Sequence, residues 1–412
     1  MVPLTMHRAR WVVPVSSPVI EDGAAAVSGD RIVAVGRAAD LRRRFSGPVL
    51  DHGEGAILPA LVNAHVHLEF SALQGRILRT NSLGTWLKAA MAGYAELSPE
   101  EIGQGIEHGL AELRCSGTIL AGEVSNTGQS LLPLTAGGLE FHYFYECIGF
   151  HLLQPGPLED DFPIFRTVEA LSRSNFSAAA HAPYSVSEAL FRRVRDWNAR
   201  YGRPSTVHLA ESQEEGRFLR EGNGFFRELL ESRGRWPANY TPPGCSPAAF
   251  LEGLGFLQPD TLAVHGLWLN PDDLNVLARR RTWTVLCPRS NRFTGAGFPN
   301  LPVLHRAGVR LALGTDSLAS NDDLNLFKEM LCLHEQFPYF PIPELLALGT
   351  LNGARALKRA ADLGSLAPGK RAALLFIPVE AENHFWPELL RAGAGGKLTW
   401  ISPPQKEKSG GH

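Results

Sequence analysis

Short apolar runs broken by tight-turn residues dominate the start of this chain. Trp11-Val-Val, Ala24 to Val27, Arg31-Ile-Val-Ala-Val and Pro48-Val-Leu are separated by Glu-Asp-Gly and by Ser28-Gly29-Asp30. Gly and Asp supply hairpin turns, so this stretch predicts a β-rich module with no helical period before about Ala38. From about Ile57 to Leu357 the texture changes to β-rich runs, each followed by a polar turn and a helix-period stretch. The predicted strands are Ile57–Ala64, Thr118–Gly122, Leu139–Cys147, Ser177–His181, Ser205–His208, Thr261–His265, Thr282–Cys287 and Arg310–Gly314. Predicted helices between them include Pro99–Cys115, Glu188–Tyr201, Gln213–Arg233 and Pro271–Arg280.

Alternating β and α over this length predicts an α/β fold with a parallel barrel or a doubly wound sheet. Eight strands, with no Gly-rich phosphate turn after the first, favour a (β/α)8 TIM barrel over residues 57–357. Beyond Leu357, Gly364 to Phe376 returns to turn-plus-strand texture. Residues 1–56 and 358–404 are therefore expected to form one small β-sandwich module beside the barrel. The Pro- and Gly-rich segment 234–246 reads as a loop inserted after the fifth strand, in the place of a lid, and the polar end, 405–412, as frayed.

Composition narrows the partners. The 412 residues carry a net charge of -2, with 44% hydrophobic and 20% charged residues, values of an ordinary globular chain. That balance gives no electrostatic reason to expect nucleic acid or an anionic membrane, and a small-molecule ligand fits it better. The five cysteines are scattered, with no C-x-x-C, which reads as reduced thiols. Arg8 and Arg10 before an apolar run loosely mimic a signal peptide, but Pro14, Ser16, Ser17 and Pro18 interrupt it. A cytoplasmic location is expected, with no membrane-spanning stretch.

The strongest chemical signal is Asn63-Ala64-His65-Val66-His67 at the end of the first barrel strand. Residues two apart on a strand share a face, so both imidazoles can reach one ion. An isolated H-x-H pair is common and carries little. Here, however, His181, His208 and His265 end the fourth, fifth and sixth predicted strands, and Asp316 lies just past the eighth. Strand C-termini of such a barrel open onto one face, where active sites lie. Five histidines at that register are not core filling.

These motifs resemble a known family. The run Leu58-Pro59-Ala60-Leu61-Val62-Asn63-Ala64-His65-Val66-His67, with His208-Leu-Ala-Glu211, His265-Gly266 and Gly314-Thr315-Asp316-Ser317, is similar to the amidohydrolase superfamily. Within it, the chain resembles the branch of triazine hydrolases, cytosine and guanine deaminases and adenosine-like deaminases. The family implies a barrel flanked by a β-sandwich from both termini. It also implies one divalent metal, zinc before iron or manganese, held by His65, His67, His208 and Asp316. No lysine follows the fourth strand to bridge a second ion; His181 stands there instead. The resemblance leaves a homodimer open.

The resemblance further implies roles. Glu211, three residues past His208, matches the family's H-x-x-E proton shuttle; a solvated carboxylate in Glu211-Ser-Gln-Glu-Glu215 is the bland alternative. His265 would hydrogen-bond the activated water or polarise the tetrahedral centre, and Asp316 would share the proton while ligating. His181 resembles a substrate-contacting histidine, with a structural tie to the next loop as its rival. Trp86 resembles an aromatic that closes over substrate, with a core tryptophan as the equal alternative. Glu69, Glu123, Glu146, Arg289, Asn291 and Arg292 lie near strand ends, and Glu146 and Arg289 are the candidates for substrate binding; ion pairing among themselves is the rival reading.

Three other motifs fall away. His67-Leu-Glu69 fits the H-x-E of small nucleobase deaminases, but no Pro-Cys-x-x-Cys follows. Gly364 to Lys370 fits G-x-x-x-x-G-K, but Arg371 replaces the Ser/Thr that would hold magnesium. No H-E-x-x-H occurs. The expected activity is hydrolytic deamination of an amino-substituted heterocycle; His67-Leu-Glu-Phe-Ser71 resembles the aminodeoxyfutalosine deaminases, and other adenosine derivatives and guanine are rivals. A chlorohydrolase or cyclic amidohydrolase on the same metal site is the alternative activity, and a barrel repurposed for binding the non-enzymatic one.

Overall fold

The structure, a computed structural model, describes residues 4–166, 175–380 and 384–401. Both ends of the chain meet in one mixed sheet. Its strands are β1 (Leu4–Val12), β2 (Ile20–Ser28), β3 (Arg31–Arg37), β4 (Val49–Asp51) and β5 (Gly55–Pro59), joined by the late strands Leu374–Pro378 and Thr399–Trp400. The hairpin pairing β1–β2–β3 is the one the early turn residues dictate. Alternate residues of β2 supply two apolar clusters: Ala25 and Val27 pack with Ala9, Ile57 and Leu374, whereas Ala24 and Ala26 pack with Met6 and Leu41.

Eight further strands follow, β6 (Leu61–Val66), β7 (Thr118–Ser125), β8 (Glu140–Cys147), β9 (Phe176–Ala180), β10 (Ser205–Leu209), β11 (Thr261–His265), β12 (Trp283–Leu286) and β13 (Arg310–Leu313). They form two parallel four-stranded sheets, ordered β6-β7-β8-β9 and β10-β11-β12-β13. Helices alternate with them, and β6, β7, β9, β10, β11 and β12 are buried along their whole length. Burial on both faces explains why these runs read as continuous apolar stretches rather than alternating ones. The free edges of the sheets approach at two seams. At one, the His208 amide donates to the His181 carbonyl at 2.8 Å. At the other, the Thr315 and Asp316 amides donate to the His65 carbonyl at 3.1 and 3.2 Å.

Local signals place the helices. Pro99–Cys115 starts at a capping box of Ser98 and Glu101 with proline in its first turn, and Pro271–Arg280 repeats the device with Asn270 and Asp273. Two predicted elements differ. Residues 57–59 pair with β1 and with Leu374–Phe376 in the terminal sheet, so the run read as one strand, Ile57–Ala64, is divided at Ala60. The helix expected over Gln213–Arg233 is two, Gln213–Glu221 and Phe225–Ser232, because Gly222 and Gly224 take φ of +67° and +86°.

The terminal sheet is fastened to the parallel strands by Arg359 and Arg371, which both pair with Glu140. The Ala60 amide also donates to the Ala373 carbonyl at 2.9 Å. The 234–246 segment packs inward on aromatic rings: Trp236 stacks on Phe150 and Tyr240 on Phe218, with centroids 6.0 and 5.7 Å apart. Among the described residues no helix is long and apolar enough to cross a membrane. The expectation for 405–412 lies outside the described residues.

Candidate active site

The C-terminal ends of the parallel strands carry a cluster of histidines at the seams. A register shift in the β6–β7 pairing between Asn63 and Val66 aims β6's last turn of chain, and Gly122 opposite it has room for no Cβ: one would lie 2.5 Å from the Ala64 carbonyl oxygen. His65 and His67 leave this bulged end with ring centroids 4.8 Å apart. The His208 ring sits 5.1 Å from that of His65. Ligand-capable atoms of these three residues all lie within 4.8 Å of one another. Asp316 Oδ1 stands 3.9 Å from both His65 Nε2 and His67 Nε2.

The cluster has the marks of a cation site. Both ring nitrogens of His65 are buried without a hydrogen-bond partner, a costly arrangement for a polar ring unless something else binds it. His67 Nε2 and His208 Nε2 face each other at 3.4 Å, the separation expected of two tetrahedral ligands about 2.1 Å from one zinc, about 3.4 Å. Burial, and then the neighbouring imidazoles, hold His65 and His67 well below the usual histidine range, and burial lowers His208. Neutral imidazoles are the ligating form. The other two rings are anchored through their second nitrogens: His208 Nδ1 donates to the His181 carbonyl at 2.9 Å, and the His67 ring bonds the Val124 backbone. That fixes the tautomers, with His208 Nε2 left to ligate. Glu146, His181 and His208 also cluster, but the committed Nδ1 of His208 keeps this second group from being an independent site.

Asp316 is oriented by hydroxyls absent from the sequence reading. Ser290 Oγ donates to its Oδ2 at 2.6 Å and Ser320 Oγ at 3.3 Å, which leaves Oδ1 toward the histidines. Asn63 Nδ2 donates to Thr315 Oγ1 at 2.7 Å, tying β6 to the end of β13. Ser290 lies in the short helix Pro288–Thr294 between Arg289 and Asn291, and a lone serine has no spacing signature. Three non-glycine residues at this rim, Ala210, His265 and Asp316, have φ of +51°, +75° and +57°. Such backbone costs of order 1–3 kcal/mol each and clusters at functional sites.

Glu211 Oε1 lies 3.5 Å from His265 Nε2. Asn291 Nδ2 donates to His265 Nδ1 at 2.9 Å, which leaves the ring proton on Nε2, facing Glu211. Burial, followed by Asp316 and Glu215, pushes the Glu211 carboxyl well up, and burial brings His265 down to about 3. His181 is hydrogen-bonded to Ser185 at 2.6 Å and lies 4.9 Å, ring to ring, from His208. Glu146, pushed up to about 8 by burial, places Oε1 3.5 Å from His208 Nδ1. Trp86 donates from Nε1 to the Ala319 carbonyl at 3.1 Å, three residues past Asp316.

The other strand-end residues have different partners. Arg289 forms ion pairs with Asp323 at 2.8 Å and Glu329 at 3.6 Å. Arg292 lies over the Phe298 ring. Glu69 accepts from Ser125 and Thr127, and Glu123 from the Leu68 amide at 3.1 Å, so both fasten loops.

Gly314 sits where a Cβ would be 2.8 Å from both the Cβ and the carbonyl oxygen of His65. Gly314→Ala is expected to displace His65, costing about 1–3 kcal/mol of stability and loosening metal retention. Denaturant midpoints and metal content after dialysis test this; wild-type values for both would show that the contact is soft.

Comparison with known proteins agrees with this geometry. Residues 56–390 match the amidohydrolase family, and residues 26–45 a bacterial imidazolonepropionase-like composite domain. The chain is 30% identical to an aminodeoxyfutalosine deaminase of a Nitratiruptor species over 76% of each protein. It is 27% identical to a 5-methylthioadenosine/S-adenosylhomocysteine deaminase of Moorella thermoacetica, covering 91% of this chain and 86% of that one. Among solved structures, a zinc-bound adenosine deaminase from Xanthomonas campestris superposes with a TM-score of 0.80 at 28% identity, over 96% of this chain and 90% of that one. The Helicobacter pylori aminofutalosine deaminase bound to methylthio-coformycin shares the fold, with a TM-score of 0.83 at 23% identity over 96% of this chain and 100% of that one.

Proposed function

This chain belongs to the amidohydrolase family, and from that premise we propose that it hydrolytically deaminates a purine nucleoside-like amine such as aminodeoxyfutalosine or another adenosine derivative. The observation that carries the reading is the meeting of three buried neutral imidazoles, Asp316 and Glu211 at one rim of the parallel strands. The names of its relatives support the substrate class. His65, His67, His208 and Asp316 would hold one divalent ion, with zinc favoured by the donor set and by the zinc-bound neighbour. When bound, such an ion supplies a water acidic enough to lose its proton near neutral pH, the pKa falling from about 16 towards about 7.

The chain's own residues manage the protons. Glu211, kept from solvent and close to His265, takes one proton of the attacking water and delivers it to a ring nitrogen. The water's second proton, released from the oxygen on the tetrahedral carbon as its C=O bond forms, passes through the same carboxyl to the amine as the C–N bond breaks, and ammonia leaves. A carboxyl pushed up by burial can hold that proton between the two transfers. His265, fixed by Asn291 with its proton on Nε2, donates toward the oxygen at the developing tetrahedral carbon. Asp316, held through Oδ2 by Ser290 and Ser320, turns Oδ1 to the histidines, where it would share the proton while ligating the ion. His181, Trp86 and Glu146 are the proposed substrate contacts, and Arg289 acts at one remove by fixing the Asp322–Asp323 loop that follows Asp316.

The finer architecture belongs to the same proposal: β6 to β13 close into a (β/α)8 barrel, and the terminal sheet folds as a composite sandwich. Hydrogen bonds at both seams support the first, and apolar clusters of alternate β2 residues the second.

The test is an ammonia-release screen of the zinc-loaded protein against aminodeoxyfutalosine, adenosine, 5-methylthioadenosine, S-adenosylhomocysteine, guanine, cytosine, a chlorotriazine and a cyclic amide. Ammonia from the 6-amino nucleosides is the expected result. Chloride release or ring opening without ammonia from any amine would replace the proposal with the chlorohydrolase or cyclic amidohydrolase reading.

A further inference from the structure

Glu215 is wholly buried, and no ion pair found among the described residues involves it. Its two oxygens instead accept two consecutive backbone amides, Ala210 N–H at 3.0 Å and Glu211 N–H at 3.0 Å. Glu215 is the third residue of the helix Gln213–Glu221, whose N-cap is Ser212. A carboxylate at that position ordinarily turns back to the amide of the cap residue itself. This one reaches past Ser212 into the turn that carries Glu211, so helix capping does not account for its placement.

The turn it holds is strained and is gripped from the opposite side as well. Ala210 has φ of +51°, a conformation that costs an L-residue about 1 kcal/mol or more. The Ala210 carbonyl accepts amides from Leu267 at 3.0 Å and Trp268 at 2.9 Å, the residues that follow His265 and Gly266. One peptide therefore joins the ends of β10 and β11, with Glu215 below it and the β11 turn above. The distance between Glu211 and His265 is set by that junction. Proton transfer needs such groups held to within about half an ångström, and here the backbone rather than a side-chain partner supplies the hold.

We propose that Glu215 is a positioning residue, a two-oxygen clamp on the Ala210–Glu211 amides that holds the Glu211 carboxyl in register with His265. The proposal rests on the deaminase reading for its kinetic part and on the geometry alone for its structural part. An amide at position 215 has one acceptor oxygen for two amides, and its NH2 would oppose the second. Glu215→Gln is thus expected to retain its zinc and to keep KM within threefold, while kcat falls at least 100-fold. Glu215→Asp, which keeps both acceptors on a shorter arm, is expected to recover at least tenfold of that loss. Ser212→Ala, which removes the cap bond only, is expected to lower the melting temperature with kcat unchanged.

Hydrogen exchange read peptide by peptide separates this idea from the choice of substrate. The Ala210 and Glu211 amides are expected to be strongly protected in the wild-type protein and to exchange at least 100-fold faster in Glu215→Gln, with the remaining strands unchanged. If Glu215→Gln fails to fold, Glu215→Asp carries the test, with partial loss of both kcat and protection. Wild-type kcat in a folded Glu215→Gln, or a loss explained entirely by missing zinc, overturns the proposal. So does equal exchange in wild type and variant, whether or not any heterocycle is deaminated.

Discussion

Glu211→Gln is expected to bind its metal as the wild type does and to lose about a thousandfold or more in kcat. The side chain keeps its size, and no metal-ligating atom is removed. What disappears is a carboxyl that can accept a proton and give it back. Positioned general acid–base groups contribute about 10²- to 10⁴-fold, and Glu211 would serve in both directions of one turnover, which places the loss toward the upper end. Its setting gives the proton few other routes: Glu211 is buried, and His265, 3.5 Å away, is held neutral by burial and directs its own proton toward the carboxylate. KM is expected to move little. Ammonia release under saturating substrate, with metal analysis and a melting curve on the same preparation, makes the comparison. Turnover close to wild type would remove Glu211 from the mechanism.

His65→Ala is expected to abolish metal binding and, with it, activity. His65 is fully buried, and neither ring nitrogen has a hydrogen-bond partner, so its imidazole has no packing-independent reason to be there except a bound ion. Loss of one of the four proposed ligands leaves His67, His208 and Asp316, a set short of the four that a tetrahedral ion takes from these residues. Metal content is expected to fall from about one equivalent to near zero on dialysis. A ligand present at about 1,000 times its Kd stabilises a fold by about 4 kcal/mol. A chelator is accordingly expected to lower the melting temperature of the wild type and to leave that of His65→Ala unmoved. Metal content that survives the substitution would show that the four side chains do not share an ion.

The expectation for His65 began as a register argument, and that for Glu211 as the resemblance of His208-Leu-Ala-Glu211 to the family's H-x-x-E motif. Residues ending predicted strands fall on one rim whatever the loops between them do, and the structure brings His65, His67, His208, His265, Glu211 and Asp316 together there. Strand and helix limits were equally legible where a local device set them. Thr261–His265 and Pro271–Arg280 fall where the apolar run and the Asn270–Asp273 box place them. The helix broken at Gly222 and Gly224 was less so, since the apolar period runs on across a glycine pair whose φ the pattern does not encode.

What the sequence by itself determined is everything carried by spacing: the alternation of strand and helix, the joining of both chain ends in β texture, and the gathering of His65, His67, His208 and His265 at strand termini. Only the tertiary structure decided how those residues are held. That Ser290 and Ser320 orient Asp316, that Glu215 bonds two amides of a strained turn, and that Arg289 goes to Asp323 depend on which distant segments close on one another. Periodicity is a property of neighbours along the chain, and one rim collects strand ends by geometry alone. Hydrogen-bond partners, by contrast, are chosen when buried polar groups from separate strands must satisfy each other in the absence of water, and no local pattern fixes that choice.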